Sequence, residues 1–305
     1  MVLNTSPLSG HKYRYGNNSR GRHLHRVVVF VVAVLFLSAV SSRAEQAYPL
    51  GCSEKDPKYY EFENSSFPPS DVTIKSTNDY MLVRRLGAGK FSDVFEAVDV
   101  QMEKQNNPRE QPPLTIDHQT LVVLKCLKPV SERKIKRELL VLKHASKLPN
   151  LARLLAVVVP SEYKNRDKKY QLQSMPSLVL EHAGVDSQWL CHSKDRLMTE
   201  NETRYFLYHL LVALDHLHSS GIMHRDVKPR NVLVDRTDMS LMLIDLGLAD
   251  FYMPDSKYNV RVASRHYKSP ELLLGYEHYD YAIDMWGVGC ILAGLLLRRE
   301  PFFRG

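Results

Sequence analysis

The apolar positions of this chain fall into blocks whose period changes from one segment to the next. Leu121–Leu127, read as L-V-V-L-K-C-L, is an apolar, β-branched run broken by one lysine and predicts a strand. Residues 86–95 predict a strand, a glycine-rich turn and a second strand. From Lys136 the order K-R-E-L-L-V-L opens the spacing of an amphipathic helix, with Glu138 at its head. Residues 285–297 form an apolar helix entered through Asp284. Residues 27–40 are almost wholly apolar but short for a membrane span.

Chemistry is densest between these blocks, in G-I-M-H-R-D-V-K-P-R-N at 221–231. The order His224-Arg225-Asp226-x-Lys228-x-x-Asn231 resembles the catalytic loop of protein kinases. The resemblance implies that Asp226 accepts the proton of a substrate hydroxyl, that Lys228 sits by the transferring phosphate and that Asn231 holds magnesium. Other motifs follow in the matching order. Gly87 and Gly89 stand where a glycine loop covers phosphates, with Ser92 in place of a third glycine. Lys125 matches the strand lysine that pairs the α/β-phosphates, and Glu138 its helix partner. Asp245-Leu246-Gly247 takes the D-F-G position, so Asp245 is a second magnesium ligand. Ser269-Pro270-Glu271 takes the A-P-E position. Asp284 reads either as a helix N-cap or, by resemblance, as a brace under the catalytic loop.

The wording between motifs is similar to the catalytic (alpha) subunit of casein kinase II. N-V-R-V-A-S-R-H-Y-K at 259–268, Y-D-Y at 279–281 and R-E-P-F-F at 299–303 carry the likeness, as do G-A-G-K at 87–90 and L-K-P-V at 127–130. It covers roughly residues 58–305, interrupted at 101–119 and 161–176 by segments that read as solvated loops. It implies a serine/threonine kinase that uses ATP, with GTP as a second donor, and Mg2+. It also implies activity without activation-loop phosphorylation, the segment with Tyr59, Tyr60, Glu61 and Phe62 packing on the activation segment. Acidic targets are expected to meet Arg261, Arg265 and Lys268, whose plainer reading is a set of solvated charges. Ser131-Glu132-Arg133-Lys134 is less basic than the family's cluster there, which predicts a weaker preference for distant acid.

The same resemblance places the nucleotide ring between Leu86, Val94, Val123, Leu233 and Ile244. Glu181 and Ala183 offer it backbone hydrogen bonds, and Leu180 is the gatekeeper. Phe95, Leu82 and Val179 match positions that dock a casein kinase II beta-type regulatory subunit; otherwise they are core strand residues.

Charge adds a leader to the picture. The chain of 305 residues has a net charge of +7, but residues 1–44 hold six Lys/Arg and no Asp/Glu, leaving 35 basic and 34 acidic residues elsewhere. Nucleic-acid binding is therefore not expected, and the basic run at 164–169 reads as a solvated loop. Residues 1–44 have the layout of a secretory signal peptide, or of an uncleaved anchor, which is the one route to a membrane. Either puts the remainder on the lumenal side; a misassigned start leaves it in cytoplasm and nucleus. Asn64 and Asn201 then head glycan acceptor triplets, although Asn201 also suits a helix cap. Cys52, Cys126, Cys191 and Cys290 form no disulfide framework. His216, His218 and His224 lack a metal-binding spacing.

The expected architecture is α+β and bilobal. Residues 1–44 are the leader and 45–78 an N-terminal segment. An antiparallel β lobe with one helix spans 79–181, and a mainly helical lobe spans 182–305. The family's later helices are expected to be missing, leaving the face with Trp286, Val288, Ile291 and Leu295 exposed. Two functional readings follow, an active kinase and a truncated module that binds nucleotide or a regulatory subunit.

Overall fold

A computed structural model describes residues 72–102, 120–159, 175–184, 188–190 and 198–304. The leader, Tyr59 to Phe62, Asn64, Cys52, Cys191 and the basic run at 164–169 lie outside the described residues, as does most of both expected loops.

The first lobe is one six-stranded sheet. Its strands are β1 (Ile74–Lys75), β2 (Tyr80–Ala88), β3 (Ser92–Asp99), β4 (Leu121–Leu127), β5 (Leu154–Val158) and β6 (Ser177–Glu181). They lie in the order β1-β5-β6-β4-β3-β2. Every pairing is antiparallel except β1 with β5, so the sheet gains a parallel edge strand ahead of residue 79. A capping box between Ser76 and Asp79 turns the chain from β1 into β2.

Helix α1 (Glu132–Ala145) buries Ile135, Glu138, Leu139 and Leu142, the i, i+3, i+4, i+7 stripe of an amphipathic helix. One member of that stripe is a carboxylate, and it is there for the site.

The second lobe contains β7 (Gln188–Trp189), α2 (Glu200–Ser219), β8 (Ile222–Met223), β9 (Val232–Asp235), β10 (Ser240–Leu243), β11 (Asp250–Phe251), α3 (Pro270–Leu273) and α4 (Ala282–Leu297). Thr199, not Asn201, caps α2: its hydroxyl accepts the Glu202 N–H while the Glu202 carboxylate accepts the Thr199 N–H. Gly221, at φ +74°, takes the left-handed turn that delivers the chain from α2 to β8. Strands β7, β9 and β10 form one small sheet and β8 with β11 another. These short pairings present the loops between them to the cleft.

A continuous apolar core joins the lobes. It runs from Leu139 and Leu142 on α1 through Leu178 to Phe206, Leu210 and Leu217 on α2, and on to Val288 and Ile291 on α4. Val288 and Ile291 are thus interior rather than exposed: α4 is apolar all round and turns this side into the core. Trp286 is half-buried and stacks on Phe303, with centroids 5.7 Å apart. At Gly287 a Cβ would lie 2.7 Å from the Val227 carbonyl oxygen, so glycine lets α4 touch the backbone of the 224–231 loop. Cys126 and Cys290 are free thiols, and burial pushes Cys290 up to about 12. Among the described residues no helix is long and apolar enough to cross a membrane.

Candidate active site

Strand register puts the ceiling of the cleft together. Alternate residues of β4 face opposite ways: Val122 and Leu124 enter a small outer apolar cluster, while Val123 and Lys125 face inward. Val94 pairs with Lys125, and Val123 with Leu180, so all four share one face. Val94, Val123 and Leu180 are half-buried, as are Leu233 and Ile244 from the second lobe, while Leu86 is 37 % exposed. Gly89 donates its N–H to the Ser92 carbonyl at 2.8 Å, closing the glycine-rich turn, and Lys128 Nζ holds the Gly89 carbonyl at 2.8 Å. At the junction of the lobes, Glu181 spends its N–H on the Arg153 carbonyl and its carboxylate on the Arg153 guanidinium, and Ala183 is half-buried.

Beneath this ceiling Lys125 Nζ lies 2.7 Å from Glu138 Oε1 and 2.7 Å from Asp245 Oδ1. Burial alone would lower the lysine pKa; the two carboxylates together outweigh it and raise it, so the ammonium stays charged. Lys125 in turn holds Asp245 down to about 2, against the opposing effect of burial. Asp245 sits at φ +65°, and its side chain remains 46 % exposed toward the cleft. A Cβ on Gly247 would come within 3.1 Å of Lys125 Nζ and 3.4 Å of Glu138 Oε1, so this glycine leaves room for the ionic triad. Leu246 between them is buried in the main core.

The 224–231 loop hangs from Asp284. Its carboxylate accepts the N–H groups of His224 and Arg225, both at 2.8 Å, and contacts His218 Nε2 at 3.0 Å. Burial opposes ionisation here, but His218 and these donors prevail and lower the pKa. Asp284 lies inside the first turn of α4 and is a brace, not its N-cap, which is Tyr281.

Asp226 is held from three sides. Lys228 Nζ reaches its Oδ2 at 2.5 Å, Asn231 Nδ2 reaches the same oxygen at 3.1 Å, and Ser264 donates both N–H and Oγ–H to Oδ1. Lys228 also bonds Ser264 Oγ at 2.9 Å. Because Asn231 turns its nitrogen to Asp226, its amide oxygen is left for a cation. That oxygen and the Asp245 carboxylate are hard donors of the type that would hold a divalent ion.

The three residues expected at an acidic target fare differently. Arg261 and Arg265 are exposed around Ser264. Lys268 is half-buried and turned inward, its ammonium bonding the Val260 and Val262 carbonyls, and burial lowers its pKa. Of the three residues expected to dock a regulatory subunit, Val179 is 1 % exposed, Phe95 is half-buried against the outer cluster and Leu82 is 56 % exposed.

Sequence reasoning missed Ser264, which lies 38 residues from Asp226 and carries no motif spacing of its own. It also missed a second layer around Arg225. This guanidinium bonds Leu248 O at 2.7 Å and Tyr279 Oη at 3.1 Å, and pairs with Asp250 at 2.8 Å; Arg137 of α1 meets the same Asp250 oxygen at 3.0 Å. The family model described as "Protein kinase domain" matches residues 80–305, which contain all of these groups.

Proposed function

This chain belongs to the protein kinase family, with its bilobal α+β fold and its general use of ATP and a divalent metal, and on that premise we propose that it is a casein kinase II alpha-like serine/threonine kinase acting in acidic contexts. The observation that carries the proposal is the cluster of Asp226, Lys228 and Ser264. Both Ser264 donors bond Asp226, which pulls the activation-segment backbone up against the carboxylate. A peptide lying on that segment brings a short hydroxyl arm to Asp226, whereas a tyrosine ring would overshoot. Exposed Arg261 and Arg265 on the same segment favour acid around the acceptor.

The residues divide the work. Val94, Val123, Leu233 and Ile244 grip the base, with backbone contacts from Glu181 and Ala183. Lys125, fixed by Glu138, orients the α/β-phosphates of ATP, or of GTP as a second donor. Asn231 and Asp245 would hold magnesium, which would neutralise phosphate charge. Asp226 aligns the acceptor hydroxyl and takes its proton, and Lys228 stands beside the moving phosphoryl group. The Arg225–Asp250 pair supports activity without activation-loop phosphorylation, since a carboxylate already occupies the guanidinium.

Purified chain with MgATP is expected to phosphorylate a serine peptide flanked by Asp or Glu. Asp226→Asn is expected to lower kcat roughly 10²–10⁴-fold. Nucleotide binding with no transfer would assign the chain to the binding-module class. Preferential transfer to a tyrosine peptide would overturn the acceptor assignment.

A further inference from the structure

One acid on the cleft face of the first lobe has no part in the chemistry above. On β3, Val94 and Glu96 stand two residues apart and point the same way, toward the cleft, while Phe95 and Ala97 point into the outer cluster. Glu96 pairs in register with Val123, which lies opposite Leu180 in the ceiling. An apolar side chain would suit this place. Glu96 is instead a carboxylate, and only 5 % exposed.

A carboxylate at that depth needs partners, and it has two from different elements. Arg84 of β2 forks it, with Nε 2.6 Å from Oε2 and Nη2 2.8 Å from Oε1. His182 Nε2 meets the same Oε1 at 3.1 Å. Arg84, with His182 adding to it, outweighs burial and holds the Glu96 carboxyl below its ordinary range. The two partners differ in what they fix. Arg84 pairs with Glu96 in the register of β2 and β3, so that contact braces the sheet. His182 lies in the connection between the lobes, flanked by Glu181 and Ala183. Its Nδ1 accepts the Gly184 N–H at 3.2 Å, so Nε2 carries the ring proton and donates it to Glu96. Residues 182–184 belong to no strand or helix. Glu181 is anchored through its N–H on the Arg153 carbonyl at 2.9 Å, and Gly184 through the imidazole, so Ala183 sits between two anchored residues.

We propose that Glu96 is a positioning residue for the nucleotide, acting through His182 to hold the 181–184 backbone in the pose that reads the base. The proposal rests on the assignment of Glu181 and Ala183 to the base and deepens it. Hydrogen bonds weaken steeply with misalignment, so a segment that must meet a planar base needs a fixed pose. Lacking ladder bonds, this segment takes its pose from a side chain and the buried carboxylate behind it.

The test measures KM and kcat for MgATP with a serine peptide, and the Kd of MgATP by titration without peptide. Amide replacements split the two bonds of the ring. Gln reaches the place of Nε2 and serves Glu96 alone, whereas Asn reaches the place of Nδ1 and serves Gly184 alone. Glu96→Met removes the carboxylate with a side chain that suits the apolar ceiling. Glu96→Met and His182→Asn should each raise KM and Kd roughly fivefold, with kcat within about twofold of wild type. His182→Gln should recover most of that loss. The double variant Glu96→Met/His182→Asn should be no weaker than either single one, because both break the same bond. An unchanged Kd in Glu96→Met, or losses that multiply in the double variant, overturns the proposal and leaves Glu96 as a brace between β2 and β3. Ala183→Pro removes the neighbouring N–H and tests the underlying assignment. Unchanged Kd in Ala183→Pro removes the base assignment and the proposal with it. Weakened Kd there, with none in Glu96→Met, keeps the assignment and removes the proposal. Weakened Kd in Glu96→Met and His182→Asn, in a chain that phosphorylates no peptide, removes the kinase activity and keeps the positioning role.

Discussion

Arg225 pairs with Asp250 at 2.8 Å across the floor of the cleft, and Arg137 on α1 closes on the same oxygen at 3.0 Å. One carboxylate thereby ties the catalytic loop, the start of the activation segment and the helix that carries Glu138. The Arg225 side chain is only 3 % exposed, so it needs that counter-charge. Asp250→Ala leaves it with two neutral acceptors, Leu248 O and Tyr279 Oη. A loss of roughly 3 kcal/mol in urea unfolding is expected. Activity should fall more than folding accounts for, because α1 loses its tether. Unchanged stability and kcat/KM in this variant would refute the linkage.

Two glycines separate stability from chemistry. At Gly287 a new methyl group meets the Val227 backbone at 2.7 Å, where nothing flexible can yield. Gly287→Ala should cost about 1–3 kcal/mol in thermal unfolding. At Gly247 the methyl group presses the Lys125, Asp245 and Glu138 head groups at 3.1–3.4 Å, and those can shift by tenths of an ångström. Gly247→Ala should therefore melt close to wild type while kcat falls roughly tenfold, since the shifted groups are those to which the proposed function gives the positioning of phosphate. A kinetic deficit at Gly287 with no thermal loss, or the reverse at Gly247, would contradict this division.

Much of this site was legible in the chain because its chemistry is local. The loop at 221–231 carries Asp226, Lys228 and Asn231 within one turn, and the apolar run of β4 isolates Lys125 by period alone. Contacts created by folding were not legible. Nothing in the order of residues brings Ser264 to Asp226, Arg137 to Asp250 or α4 against Val227. Lys268 shows the same limit from the other side: its charge could be read, but not the two carbonyls that turn it inward. Strand β1 was missed because a two-residue strand has no period to detect.

The acid limb of stability should belong to Asp245 and Asp284. Both are lowered from 3.8 in the folded state, Asp245 to about 2. The unfolded chain therefore binds protons first as pH falls. Stability from these groups is complete above about pH 4 and is lost as pH drops toward the folded values. Asp284→Asn should cost roughly 3 kcal/mol at pH 7, and the cost should shrink as acid protonates the wild-type carboxyl below its ordinary range. Urea titrations of both proteins at pH 7, 4 and 2.5 measure this. A penalty independent of pH would mean that Asp284 acts through shape and not through charge.

Ser264 tests the acceptor site most directly. Its N–H and hydroxyl both bond Asp226 Oδ1, at 2.8 and 2.9 Å, and the hydroxyl also receives Lys228. Ser264→Ala keeps the N–H contact and removes the hydroxyl, so Asp226 and Lys228 stay paired but lose their common anchor. The residue is half-buried and outside the main core, so folding should be little affected. Without the anchor the carboxylate samples poses that do not face the substrate hydroxyl, and kcat should fall roughly 10–100-fold with nucleotide affinity unchanged. Ser264→Thr restores a hydroxyl at the same Cβ and should recover most of the rate. Steady-state kinetics with a serine peptide, beside a nucleotide titration, separates the two effects. If Ser264→Ala weakens nucleotide binding as much as turnover, the hydroxyl supports the cleft as a whole and does not align the base.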